Sequence, residues 1–160
     1  MTVRLVVLRH ASAGKRNEWT DDDTHRPLDR LGTDQADVLV DVFADVPLQR
    51  ILTSRYVRCR ETVAALAAAR GTQSVDEGWL AEGSALDEVA AGLRGIGSDT
   101  LVCTHGDIVE LIGTCLAIEP DLRHLPKAGA WVIELVDGHM VDLALLAAPE
   151  PATGDQPLHS

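Results

Sequence analysis

The sequence predicts an α/β fold: a three-layer α/β/α sandwich with a mostly parallel sheet and a C-terminal antiparallel hairpin. Three observations carry that expectation. Short apolar runs of strand length alternate with segments of helical period, the pattern of strand–helix–strand units. Two of the runs, "VVLRH" and "LVCTH", stop at a histidine, and the carboxyl ends of strands are where open α/β sheets hold ligands. The last stretch, "WVIELVDGHMVDLALL", reads as two strands joined by Asp137-Gly138, a pair suited to a two-residue turn with both φ angles positive.

The elements follow in order. Val3 and Leu5 to Leu8 form a buried strand that ends at Arg9-His10. The polar stretch "KRNEWTDDDTHRPLDRLG" has no apolar period and reads as a loop. "TDQADVLVDVFADV" sets Ala36, Leu39, Val40 and Phe43 at helical spacing. "RILTS" is a short strand, and "RCRETVAALAAAR" is a helix stopped by Gly71. A short strand is expected within "SVDEGWL". Ser84 is the expected N-cap of the next helix, with Asp87 three residues on. "TLVCTHG" is a second buried strand, followed by a helix opened by Asp107. No internal repeat or linker divides the chain, so one domain is expected over residues 1–148. Residues 149–160, with three prolines and no period, are expected to be a disordered tail.

Composition narrows the function. The chain has 160 residues, 46% of them hydrophobic but only 3% aromatic, so Leu, Val and Ala must fill the core. A formal charge of −11 argues against nucleic-acid and anionic-membrane partners. An anionic ligand would need a local cationic pocket. Cys59, Cys103 and Cys115 have no metal-ligand spacing and are odd in number, which fits a reducing, cytoplasmic setting. No signal-like leader opens the chain and no apolar run approaches ~18 residues, so neither secretion nor a membrane span is expected. The "DDD" run at 21–23 lacks spaced ligands and reads as a solvated loop. No metal and no cofactor are expected.

The chemistry lies in what a parallel sheet brings together. His10 and His105, 95 residues apart, fall on the same carboxyl edge. "TSRYVRCRET" follows a third strand and offers Arg55, Arg58 and Arg60, of which Arg58, one turn beyond Ser54, is best placed. Two histidines and two arginines on one edge suit phosphoryl transfer. Arginine forks hold the equatorial oxygens, and a neutral imidazole can attack phosphorus and later leave. A non-catalytic phosphate-binding module is the alternative of another class, but binding alone needs no nucleophile.

Four motifs, in order, resemble those of the histidine phosphatase (phosphoglycerate mutase-like) superfamily, and within it the small SixA phosphohistidine phosphatases. They are "LRHA", "RPLDRLGTDQA", "TSRYVRCRETV" and "CTHGDIV", which together reach across most of residues 4 to 117. Ala11 replaces the commoner glycine, and Arg55 stands where the family usually has proline. The resemblance implies that His10 is the phospho-accepting nucleophile and that Arg9, Arg58 and His105 surround the phosphoryl group. In larger members of the family a carboxylate after the third strand is the general acid, whereas the smallest often lack one; Glu82 is the candidate here, with Glu77 and Asp107 the fallbacks. Arg26, in a loop whose residues are surface-bound by default, and Arg55 are further candidates for phosphate contact. The implied activity is a metal-independent phosphatase with a phosphorylated substrate. A SixA-like phosphohistidine protein comes first and a nucleotide or small phosphomonoester second; the 22 residues between Glu82 and His105 leave no room for the lid of the sugar-phosphate mutases, and the open site that follows suits either.

Overall fold

The computed structural model describes residues 1–151. The expected disordered tail therefore lies, from residue 152 onward, outside the described residues. The strands are β1 (Thr2–Arg9), β2 (Arg50–Thr53), β3 (Val75–Asp76), β4 (Thr100–Thr104), β5 (Ala130–Val136) and β6 (His139–Leu146). The helices are α1 (Arg30–Val42), α2 (Val57–Ala69), α3 (Leu86–Arg94) and α4 (Gly106–Cys115). Among the described residues no helix is long and apolar enough to cross a membrane.

The six strands form one sheet in the order β3-β2-β4-β1-β5-β6. The first four are parallel, and β5 and β6 run as an antiparallel hairpin on the far side of β1. Asp137 and Gly138 both have positive φ (50° and 82°), as the hairpin turn requires. In β1 the side chains alternate between two buried faces. Val6 and Leu8 pack with Leu39, Phe43, Val63 and Leu66 of the α1–α2 layer. Leu5 and Val7 pack with Val89, Ile108, Ile112 and Trp131 on the α3–α4 side. A strand covered on both faces reads as a continuous apolar run, which is why "LVVL" shows no polar alternation. Each such side chain contributes ~1.5–3 kcal/mol by leaving water.

Several boundaries differ from expectation. Helix α1 starts at Arg30, three residues before the segment read as helical, because the Asp29 carboxylate accepts the Gly32 N–H at 2.8 Å. The expected cap at Ser84 moves to Ala85. Glu88, not Asp87, reaches back to accept the Ala85 N–H at 3.1 Å, while the Ser84 hydroxyl donates to Gly78. The polar loop holds two 3-10 turns, Arg16–Glu18 and Asp23–His25. The second of these turns bears on the site.

The register fixes that site. Arg9 pairs with Thr104, so His10 and His105 follow at the same height on adjacent strands. The His10 N–H donates to the Thr104 carbonyl at 3.0 Å, and the Ser54 N–H donates to the Cys103 carbonyl at 3.0 Å. Three strand ends are thus locked side by side at the carboxyl edge.

Candidate active site

His10 is 5% exposed, with its ring 5.4 Å from that of His105. Its Nδ1 lies 2.8 Å from the Ala11 carbonyl, which can only accept. Nδ1 therefore carries the proton, and the lone pair sits on Nε2. Burial, reinforced by the charges of Arg58 and Arg9, pushes the imidazole pKa down to about 3 against the opposing pull of the Ala11 carbonyl. A neutral ring with an available Nε2 has nucleophilic form at neutral pH.

His105 caps α4 and is buried. Its Nε2 lies 2.8 Å from Ser54 Oγ, which itself accepts the Tyr56 N–H at 3.3 Å. When the Ser54 hydroxyl donates to Nε2, the imidazole proton sits on Nδ1. That Nδ1 is buried and has no partner. Burial, with the charges of His10 and Arg58, takes the His105 pKa down to about 2. The edge of the ring meets Tyr56 at 4.6 Å between centroids.

The arginines differ in depth. Arg9 donates from Nη1 to the Leu125 carbonyl at 2.8 Å and packs against Gly106, where a Cβ would lie 3.2 Å from its Cζ. Arg58 is wholly buried behind the cavity lining. Its Nη1 donates to the Asp23 carbonyl at 2.8 Å and its Nη2 to the Asp23 carboxylate at 3.0 Å. The Nε atoms of both arginines are buried donors without partners. Buried orphan donors are rare, because each costs about 1–3 kcal/mol.

Three expectations are revised. Arg26 is not a surface residue: at 6% exposure it donates from Nε to Asp23 at 3.0 Å and from Nη1 to the Ala13 carbonyl at 2.5 Å, and it lines the cavity. Asp23 is not part of a solvated run, since its carboxylate joins Arg26 and Arg58 and approaches Arg16 at 3.7 Å. Burial works to raise its pKa, but the Arg26 hydrogen bond and the Arg58 charge hold the carboxyl below its ordinary value. Arg55 is exposed and lies 5.1 Å from the Tyr56 ring centroid, outside the cavity lining.

The cavity at this edge has a volume of about 290 Å³. Arg9, His10, Arg26, Glu82, His105 and Gly106 line it, as do three cations that sequence reasoning missed: Lys15, Arg16 and Lys127. Glu82 does reach the cavity, but its carboxylate accepts from Arg16 Nη2 at 2.6 Å and stands 3.7 Å from Arg58. Of the fallbacks, Asp107 is engaged by the Gly83 N–H at 2.8 Å, and Glu77 is not in the lining.

This edge of a three-layer α/β/α sandwich thus gathers paired imidazoles and arginines around a small polar cavity. The family model for the histidine phosphatase superfamily (branch 1) matches residues 5–87, and the chain belongs to that superfamily. It is 30% identical over 159 residues to an 8-oxo-(d)GTP phosphatase of Mycolicibacterium smegmatis. That match takes in 93% of this chain but 49% of the relative, so the chain spans about half the length of the curated relative. Among solved structures it superposes on the protein histidine phosphatase SixA complexed with tungstate, with a TM-score of 0.74, 19% identity and coverage of 91% and 97% of the two chains. A candidate SixA phosphohistidine phosphatase from Agrobacterium tumefaciens gives a TM-score of 0.71 at 24% identity, with coverage of 92% and 98%.

Proposed function

We propose that this chain is a phosphatase that works through a phosphohistidine at His10. One observation carries the reading. Among the described residues, the buried Nε–H groups of Arg9 and Arg58 and the buried Nδ1 of His105 have no protein partner, and they accompany an imidazole whose Nε2 lone pair is free. A tetrahedral phosphoryl anion, missing from the protein itself, is what such donors would satisfy.

Nε2 of His10 attacks phosphorus, and the bond from phosphorus to the leaving oxygen or nitrogen breaks, its electron pair departing with the leaving group. The Nδ1–H bond to the Ala11 carbonyl supports the positive charge that forms on the ring. Water then attacks phosphorus, the P–N bond breaks, and inorganic phosphate leaves with His10 neutral again. Arg9, Arg58 and the Nδ1–H of His105 stabilise the equatorial oxygens in both steps. Glu82 is the carboxyl placed to serve the leaving group and then the water. Its tie to Arg16 suits substrates whose leaving group needs little protonation. No step calls for a metal or cofactor.

Two substrate classes share this chemistry. A phosphohistidine protein, the SixA-like reading, is favoured by the likeness of fold to the SixA structures. A nucleotide is favoured by the 30% identity to the mycobacterial nucleotide phosphatase. The cytoplasm, where both occur, is the compartment that accords with three free thiols.

The test is hydrolysis of an aryl phosphate in EDTA by wild type and His10→Ala. Wild type is expected to turn over. The variant, with folding checked by circular dichroism, is expected to lose roughly 10³-fold or more in kcat. Acid-labile phosphate trapped on His10 supports the covalent route. Equal rates for the two proteins, or label on another residue, would overturn it.

A further inference from the structure

Lys127, like Lys15, lines the cavity and has no task in the phosphatase reading. It lies on the segment leading into β5, one residue before Ala128. Ala128 holds a left-handed φ of 65°, and its N–H donates to the carbonyls of both Arg9 (3.0 Å) and His10 (3.1 Å). A non-glycine residue keeps that conformation only where its surroundings enforce it. The backbone that carries Lys127 is therefore fastened to the same strand end as the nucleophile. Among the described residues its ammonium has no hydrogen bond or ion pair, whereas Arg16 is held by Glu82 and Arg26 by Asp23. Lys127 instead faces like charge: after burial, the guanidinium groups of Arg9, Arg26 and Arg58 lower its pKa, with Asp29 as a partial counterweight. An unpaired cation within the field of three others is costly in an isolated protein. In a chain with a formal charge of −11, carboxylates were available to neutralise it.

The cavity's volume points the same way. About 290 Å³ is room for roughly ten water-sized volumes, more than one phosphoryl group fills. Five cationic residues line it against the single carboxylate of Glu82. The orphan donors of Arg9, Arg58 and His105 account for one tetrahedral anion at His10, and Lys127, with Lys15 and the Asp23-held Arg26 beside it in the lining, is left over for another.

We propose that Lys127, flanked by Arg26 and Lys15, forms a second anion subsite beside the phosphoryl pocket, so that the substrate is a terminal phosphate on a di- or triphosphate and not on a protein side chain. This rests on the phosphatase reading and chooses between its two substrate classes. When His10 takes the terminal phosphoryl, the bridging P–O bond breaks and its electron pair passes to the departing phosphate, which Lys127 holds. That leaving group is stable as an anion and requires no proton from Glu82. Stabilising charge where it develops is the larger part of such catalysis.

The experiment compares Lys127→Ala with wild type on a nucleoside diphosphate and on an aryl monophosphate. It also measures binding of methylenediphosphonate, whose P–C–P bridge resists cleavage, and of orthophosphate. The diphosphate kcat/KM should fall about 10–100-fold, while the aryl monophosphate stays within about threefold. Methylenediphosphonate affinity should fall about tenfold, and orthophosphate affinity should hold. Lys127→Arg should restore most of the diphosphate preference, which a merely misfolded alanine variant would not predict. Equal losses on both substrates would make Lys127 part of the phosphoryl pocket and overturn the proposal, as would no loss on either. A wild type that prefers a phosphohistidine protein over every diphosphate would do the same. Should wild type hydrolyse nothing, the phosphatase reading falls, yet the binding comparison still decides the subsite.

Discussion

The two ends of the sheet each carry a cavity, and they are built oppositely. The larger, about 490 Å³, lies at the amino end of β1 among Val3, Leu93, Ile96, Leu116 and Leu135. Its acidic member, Asp137, is already paired with the chain's terminal ammonium at 2.9 Å. The smaller, about 290 Å³, lies at the carboxyl end and is ringed by cations. Arg9 and His105, in its lining, and Arg58 behind it account for the orphan donors. Volume records where packing is loose. Unmet hydrogen bonding records where a ligand belongs, and by that measure the smaller cavity is the candidate site.

Two substitutions, one at each end, bear on that contrast most strongly. Arg58→Ala removes a buried donor set and should cost about 10²-fold or more in kcat/KM on an aryl phosphate. Arg58→Lys should recover little, because a single ammonium cannot reproduce the fork that reaches Asp23 and the phosphoryl oxygens together. Leu135→Ala at the other end should lower stability by about 2–3 kcal/mol through lost burial and an enlarged void. Its kcat/KM should stay unchanged. Denaturant titration and steady-state kinetics on both variants check the pair. If Leu135→Ala damages turnover as much as Arg58→Ala, the two ends are not independent.

The next effect is in stability against pH. His10 and His105 have folded pKa values lowered to about 3 and about 2 from an ordinary 6.5. Below pH 6.5 the unfolded chain takes up protons that the native state refuses, so stability falls as pH falls. The slope is about 1.4 kcal/mol per pH unit for each imidazole. The window from pH 6.5 to 5 lies above the ordinary carboxylate range, which separates this from acid loss at Asp23. Unfolding free energy measured across that window should decline in wild type, and His10→Asn should lose one imidazole's share of the slope. A variant slope equal to that of wild type would mean His10 is charged in the native protein. No comparable group lines the amino-end cavity.

The same contrast explains what was legible in the sequence. Runs such as "VVLRH" and "LVCTH" announce buried parallel strands because both faces are covered, and parallel register alone then brings His10 beside His105. Arg9 and Arg58 follow from those strand ends. Asp23 did not, since nothing in the composition of "DDD" separates it from Asp21 and Asp22; only the 3-10 turn over Asp23–His25 aims it at Arg58. For Arg26, a candidate for phosphate contact, the sequence offered only the surface default of its loop, because it is Asp23 and the Ala13 carbonyl that draw it inward. Lys127 had a signal that went unread. β5 runs antiparallel to β1, so the residues that precede it must lie at the edge where β1 ends.

The smallest expected effect tests the carboxyl end at its tightest contact. At Gly106, the first residue of α4, an added Cβ would stand 3.2 Å from Cζ and Nη2 of Arg9. The obstructing atoms belong to a side chain, so Gly106→Ala should fold. Arg9 has little room to retreat, because its Nη1 is held by the Leu125 carbonyl at 2.8 Å. The guanidinium must then shift by a few tenths of an ångström, carrying its orphan Nε off the line to the phosphoryl oxygen. Because the same group contacts ground state and transition state, the loss should fall on KM, rising about 3–10-fold with kcat within about threefold. In free energy this is about 1 kcal/mol. An alanine variant with unchanged KM would mean that Arg9 does not meet the substrate from the position it holds here, and the buried Nε would need another explanation.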